Sequence, residues 1–182
     1  MNRELVLVLD FGSRYNQLIG RRIREAEVYS EVIPYHTSID KIKALNPKGI
    51  IFIGDSASIK DPEAKLCDKG IFDLGVPILG VCYGMQLINH VMGGSFKKVQ
   101  CECGQNDIYL EGKSKLFEKL EGDTLGWMNS SYLVDNLPEG FAVTARRKDG
   151  EVAAIENEEK KLYGVQFHPE LSDTPKGKDI LN

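Results

Sequence analysis

Residues 75–94 read GVPILGVCYGMQLINHVMGG. An apolar run from Val76 to Val81 stops at Cys82, and a helix-like stretch follows through Tyr83 and Gly84 to Met92. Apolar residues without polar alternation mark a strand buried on both faces, the kind found in parallel sheets. The quick change from strand to helix puts Cys82 at the carboxyl end of that strand, where ligands sit in open parallel sheets. Gly80-Val81-Cys82-Tyr83-Gly84 has the form G-x-nucleophile-x-G, with cysteine in the serine position. Glycines at those places let strand and helix approach closely and leave the nucleophile in a strained, exposed turn. The positive end of the following helix favours the thiolate. A lone cysteine after a strand can equally be a small buried hydrophobe, so its surroundings must decide.

Outward from this stretch, the first half of the chain alternates strands and helices. Leu5 to Leu9, Tyr29 to Ile33 (closed by Pro34) and Gly49 to Ile53 read as strands. Tyr15 to Glu25 carries Leu18, Ile19, Arg22 and Ile23 at helical spacing, with Ser13 as its expected N-cap, and Ile39 to Leu45 reads as a short helix. Strand–helix alternation predicts a parallel sheet covered on both faces. The second half reads as strands: Ile108 to Leu110, Leu125 to Met128, Phe141 to Ala145, Glu151 to Glu156 and Leu162 to Phe167. Lys148-Asp149-Gly150 joins two of them as a hairpin, and Pro175 to Leu181 begins a closing helix. The expected fold is therefore α/β: one domain over residues 1–182, with a mostly parallel central sheet, helices on both faces and a late antiparallel portion.

Bulk properties narrow the function classes. The chain has 182 residues, 42% hydrophobic and 27% charged, with a net charge of −4 and no basic block. That is an ordinary globular composition, and it argues against nucleic acid or an anionic membrane as partner. No apolar stretch reaches the length of a membrane span, and the expected location is cytoplasmic. Cys67, Cys82, Cys101 and Cys103 are then expected to be reduced thiols. Cys101 and Cys103 form a CxC pair without a second pair, a poor start for a zinc site.

A cysteine nucleophile needs a base, and three histidines are available. His90 follows Cys82 on the same helix, roughly 12 Å along its axis. His36 sits in the polar turn Tyr35-His36-Thr37-Ser38. His168 ends the strand Tyr163-Gly164-Val165-Gln166-Phe167, with Glu170 close enough to orient its ring. Elimination leaves Cys82, His168 and Glu170 as a triad. Each alone is weak evidence; their joint occurrence carries the reading.

GVCYGMQ and GVQFHPE resemble the signatures of class I, triad-type glutamine amidotransferases. VLDFGSRYNQLIGRRIRE, NPKGIIF and AAIENEEKKLYGVQFHPE resemble in particular the amidotransferase domains or subunits of GMP synthetases, over nearly the whole chain. The resemblance implies that Cys82 attacks the side-chain amide of glutamine. His168 protonates the departing ammonia and then activates water, while Glu170 orients His168. Tyr83 gives an oxyanion N–H and Gln86 helps to hold glutamine. It implies no cofactor for this step. ATP and magnesium belong to a separate ATP-pyrophosphatase synthetase module that aminates XMP, so the chain is a subunit or a fragment.

The sequence departs from the family at several places. Gly54-Asp55-Ser56 stands where a Gly-Gly-Pro turn supplies the other oxyanion N–H, and a carboxylate there opposes the charge that develops. Asn129-Ser130-Ser131-Tyr132 replaces a Ser-His-Gly-Asp stretch that lines the glutamine pocket. Asp173-Thr174 replaces a His-Thr pair, and the loop from Gln100 to Asp107 lacks the usual Arg-Glu-Tyr-Gly. Two alternatives follow: an impaired amidotransferase acting as a regulatory binding module, or a hydrolase of another γ-glutamyl amide.

Overall fold

A computed structural model describes residues 4–54 and 59–182. Four parallel strands form first: β1 (Leu5–Asp10), β2 (Tyr29–Pro34), β3 (Gly49–Gly54) and β4 (Ile78–Cys82). The second half supplies β5 (Ser95–Leu110), β6 (Thr124–Asn136), β7 (Ala142–Arg147), β8 (Val152–Asn157) and β9 (Leu162–Val165). Together they make one sheet in the order β2-β1-β3-β4-β9-β8-β7-β5-β6. From β2 across to β9 the pairings are parallel, and from β9 to β6 they are antiparallel. The antiparallel portion is thus as large as the parallel one.

Strand alternation sends side chains to two cores. Leu5, Leu7 and Leu9 of β1 pack with Ile50 and Phe52 on one face, under α2 (Ile39–Leu45) and α3 (Tyr83–Val91). Val8, Ile51, Ile53 and Val81 pack on the other face, under α1 (Asn16–Glu25) and α4 (Gly177–Leu181). The strands are apolar throughout because both faces are covered.

Some local expectations need correcting. Ser13 does not cap α1; Tyr15 occupies the N-cap without a side-chain bond. The Asp10 carboxylate organises the turn instead, accepting from Gly12 N and Ser13 N at 2.8 Å each and from Asn16 Nδ2 at 2.7 Å. The stretch from Gln100 to Asp107 is not a loop but the middle of β5, paired with β6. Leu125 to Met128 is likewise only part of β6, a 13-residue strand. The closing helix begins at Gly177 rather than Pro175. The hairpin at Lys148-Asp149-Gly150 forms as expected, with Gly150 at φ 87° and its N–H donating to Arg147 O at 2.9 Å.

Candidate active site

The elbow forms through close packing. Cys82 has φ 52° and ψ −106°, a conformation that costs energy for any residue with a side chain. The turn is this tight because α3 starts directly on the sheet. A Cβ on Gly80 would collide with the Gly84 carbonyl group and lie 2.5 Å from Met85 N; one on Gly84 would collide with Phe52 O. Only glycines allow that approach. α3 begins at Tyr83, immediately after the thiol, and N–H groups in a helix's first turn have no intrahelical acceptor.

His168 comes to this elbow from the far half of the chain. β4 and β9 are parallel neighbours, with Val81 opposite Val165, so the chain beyond β9 runs past Cys82. The His168 peptide is held on both sides. Its N–H donates to Trp127 O at 2.8 Å, and its carbonyl accepts from Thr174 Oγ1 at 2.7 Å. Thr174 Oγ1 also accepts from Trp127 N at 3.1 Å. Nδ1 of His168 lies 2.7 Å from Oε1 of Glu170, and both side chains are buried. The Glu170 carbonyl accepts from Arg22 Nε of α1 at 3.1 Å. The Tyr15 ring stands edge-on to the imidazole, with centroids 5.6 Å apart.

The electrostatics follow from this burial. Desolvation alone would push the His168 pKa down. Hydrogen bonds with Cys82 and Glu170, and the negative charge each can carry, outweigh it and push the pKa up to about 11. The buried imidazole beside Cys82 and Glu170 thus favours its protonated form. Such a group can hand a proton to a leaving amine and take one back from water.

The remaining expected residues divide. Gly54 ends β3 directly opposite Cys82, and a Cβ there would lie 2.8 Å from Tyr83 Cβ. Asp55 lies outside the described residues. Gln86 is buried, and its Nε2 donates to Ser130 Oγ at 3.1 Å and to Tyr132 O at 3.3 Å. It ties β6 to α3, and among the described residues its Oε1 has no donor. Asn129 reaches the nucleophile through its backbone, with Cys82 Sγ 3.7 Å from its carbonyl oxygen. Ser130 is buried, and its hydroxyl donates to Tyr132 O at 2.6 Å. Ser131 is half-buried at the irregularity where Val99 to Cys101 of β5 bulge against it. That bulge brings the Cys101 thiol 3.6 Å from Asn129 Oδ1. His36 and His90 are exposed and away from this cluster. Among the described residues no group of three His, Cys, Asp or Glu could hold a metal, and no helix is long and apolar enough to cross a membrane.

Sequence reading misses four contributors: Tyr15, Arg22, Thr174 and Gln166. Gln166 Nε2 donates to Cys82 Sγ at 3.6 Å. Its signal is present in the sequence, a lone amide between Val165 and Phe167 in an otherwise apolar strand end.

The family model described as glutamine amidotransferase class-I matches residues 7–182. A glutamine-hydrolyzing GMP synthase of Acetivibrio thermocellus is 60% identical over all of this chain and 36% of its own length. The enzyme of the same description from Ruminiclostridium cellulolyticum is 50% identical over the same shares. The chain therefore spans about a third of the length of the curated relatives it matches. Among solved structures, a Thermoplasma acidophilum protein provisionally described as one subunit of a GMP synthase superposes with a TM-score of 0.88 at 28% identity, covering 99% of this chain and 91% of that one.

Proposed function

Since the chain belongs to the class-I glutamine amidotransferase family, we propose that it hydrolyses glutamine to glutamate and ammonia through Cys82, His168 and Glu170. The carrying observation is the buried imidazole of His168 held 2.7 Å from Glu170, with the Cys82 thiol at the elbow helping to raise its pKa. The thiolate of Cys82 adds to the carboxamide carbon of glutamine, and the carbonyl oxygen becomes an oxyanion. The Tyr83 N–H supplies a donor for it; one such donor is worth on the order of 3 kcal/mol. The tetrahedral species collapses, the C–N bond breaks, and His168 gives its proton to the departing nitrogen. His168 then takes a proton from water, which adds to the thioester. Collapse releases glutamate and restores the thiolate and imidazolium. Glu170 keeps the ring oriented throughout. Gln86 and Asn129–Ser131 line the approach to the nucleophile.

The relatives are GMP synthases of nearly three times this length. We carry over from them the destination of the ammonia: an ATP-pyrophosphatase synthetase module, joined or separate, that aminates XMP to GMP. ATP and magnesium serve that step; the glutaminase step as drawn uses only groups of this chain.

The test is ammonia release from glutamine, with Cys82→Ala as control. Release by the parent that falls to background in Cys82→Ala is expected. Equal release by both would remove Cys82 from the mechanism. If another γ-glutamyl amide turned over faster than glutamine, the substrate assignment would move to that amide.

A further inference from the structure

Gln166 is fully buried at 0% exposure, yet it carries an uncharged amide whose Oε1 accepts no hydrogen bond among the described residues. A half-satisfied buried amide costs stability that a methionine or leucine in the same space would not. Such a group calls for a reason. Its main chain gives none, because Gln166 N–H donates to Ala153 O at 2.8 Å and continues the β9 ladder whatever the side chain. Among the described residues its side chain makes one hydrogen bond, from Nε2 to Cys82 Sγ at 3.6 Å. The placement is fixed by the sheet: Val81 pairs with Val165 in the parallel β4–β9 ladder, so the next residues, 82 and 166, are neighbours at the carboxyl ends.

The sulfur is offered two kinds of contact. The Asn129 carbonyl at 3.7 Å can only accept, so it suits a protonated thiol. The Gln166 Nε2 can only donate, so it suits the thiolate. We propose that Gln166 is a thiolate-binding residue, donating a second hydrogen bond to Cys82 Sγ beside that of His168 and so setting the fraction of nucleophile that is charged and aimed. This inference rests on Cys82 being the nucleophile. The other titratable groups around the sulfur are His168 with Glu170 behind it, Tyr15 against the imidazole, and Cys101 beyond the Asn129 side chain.

The test titrates the thiolate itself. Its ultraviolet absorbance is followed against pH in the parent chain, in Gln166→Met and in Gln166→Glu. For each, the signal of the same protein carrying Cys82→Ser is subtracted. Gln166→Met keeps the volume and removes the donor. A hydrogen bond to a charged group is worth enough to shift the midpoint up by about one pH unit, with roughly tenfold less thiolate below the midpoint. Gln166→Glu adds a negative charge beside the sulfur, so its midpoint should rise further. Glutamine turnover at neutral pH should fall with the thiolate fraction and recover as pH rises, which a purely structural defect would not do. A midpoint unmoved in either variant that folds overturns the proposal. Unaltered ammonia release by Cys82→Ala would instead overturn the glutaminase mechanism, and that outcome is read independently of the titration.

Discussion

Thr174 contributes no atom to the reaction, yet it controls where the base stands. Its hydroxyl donates to the His168 carbonyl at 2.7 Å and accepts from Trp127 N at 3.1 Å, with Thr174 and His168 buried and Trp127 half-buried. Thr174→Val keeps the shape and removes both bonds. Leaving a buried carbonyl and N–H unsatisfied costs about 1–3 kcal/mol. Unfolding in urea should show that loss, and kcat should fall while KM changes little. A fall in KM-dependent binding alone would remove Thr174 from the positioning of His168. The ionisation of His168 gives a second prediction. Its folded pKa, near 11, is above the ordinary histidine value, so the folded state holds the proton more tightly than the unfolded chain. Its stabilising effect is therefore complete below about pH 6.5 and fades as pH climbs towards the folded value. Glu170→Gln removes one of the two charges that hold the proton, so the imidazole midpoint read by NMR should drop in that variant. A midpoint that stays put would mean Cys82 alone sets it. The triad is legible in the sequence because it consists of reactive residue types at motif spacing. Thr174 is not, since it acts through contacts made only when β6 reaches the β9 end, and Gln166 shows only as a lone amide in an apolar strand end, its contact with Cys82 forming when β4 pairs with β9.

Among the elements, α3 has the least freedom. It starts on top of β3 and β4, and the contact is backbone to backbone at Gly84, where an added methyl would strike Phe52 O. Gly84→Ala gains helix propensity of about 1 kcal/mol but must push the helix off the sheet, and overpacking of this kind costs about 1–3 kcal/mol or more. The net loss should appear as a lower urea midpoint, together with a larger fall in activity because Cys82 moves with the helix. Gly93 sits just past the same helix at φ 99° with nothing within 4 Å of an added Cβ, so any cost of Gly93→Ala comes from backbone strain alone and turnover should persist. Equal losses of activity in the two variants would argue against the packing account. The elements that are readable in the sequence share one property: their pattern is local. α2 is expected at Ile39–Leu45 and forms there, with Ser38 capping by accepting from Lys41 N. The middle of β5 escapes such reading because Gln100 to Asp107 shows neither alternation nor an apolar run; it is held extended by pairing with β6 from Glu102 to Ile108. Tertiary pairing overrides weak local preference in such strands.

At the scale of the whole molecule, β6 is the last strand of the sheet, yet it touches the elbow made by β4. The long β5–β6 ribbon must therefore curl back over the carboxyl ends of the parallel strands. It is pinned there by Gln86 to Ser130 and Tyr132, and by His168 to Trp127. Its carbonyl at Asn129 covers the sulfur, and Cys82 is left 1% exposed. The expected outcome is that the ribbon opens before a substrate reaches the nucleophile. Alkylation mapped by peptide mass reads that opening directly. Cys101 and Cys103 are exposed and should react first. Cys67 should lag because burial pushes its thiol up to about 12, leaving little thiolate. Cys82 should lag for a different reason, since its modification waits on a local opening. Gln86→Ala removes two hydrogen bonds that hold the ribbon shut. At about 1 kcal/mol apiece their loss should raise the Cys82 rate roughly thirtyfold, and leave Cys67 unchanged. Acceleration of all the thiols together would mean the variant loosens the whole fold. No acceleration at Cys82 would place the barrier elsewhere than in the β5–β6 ribbon.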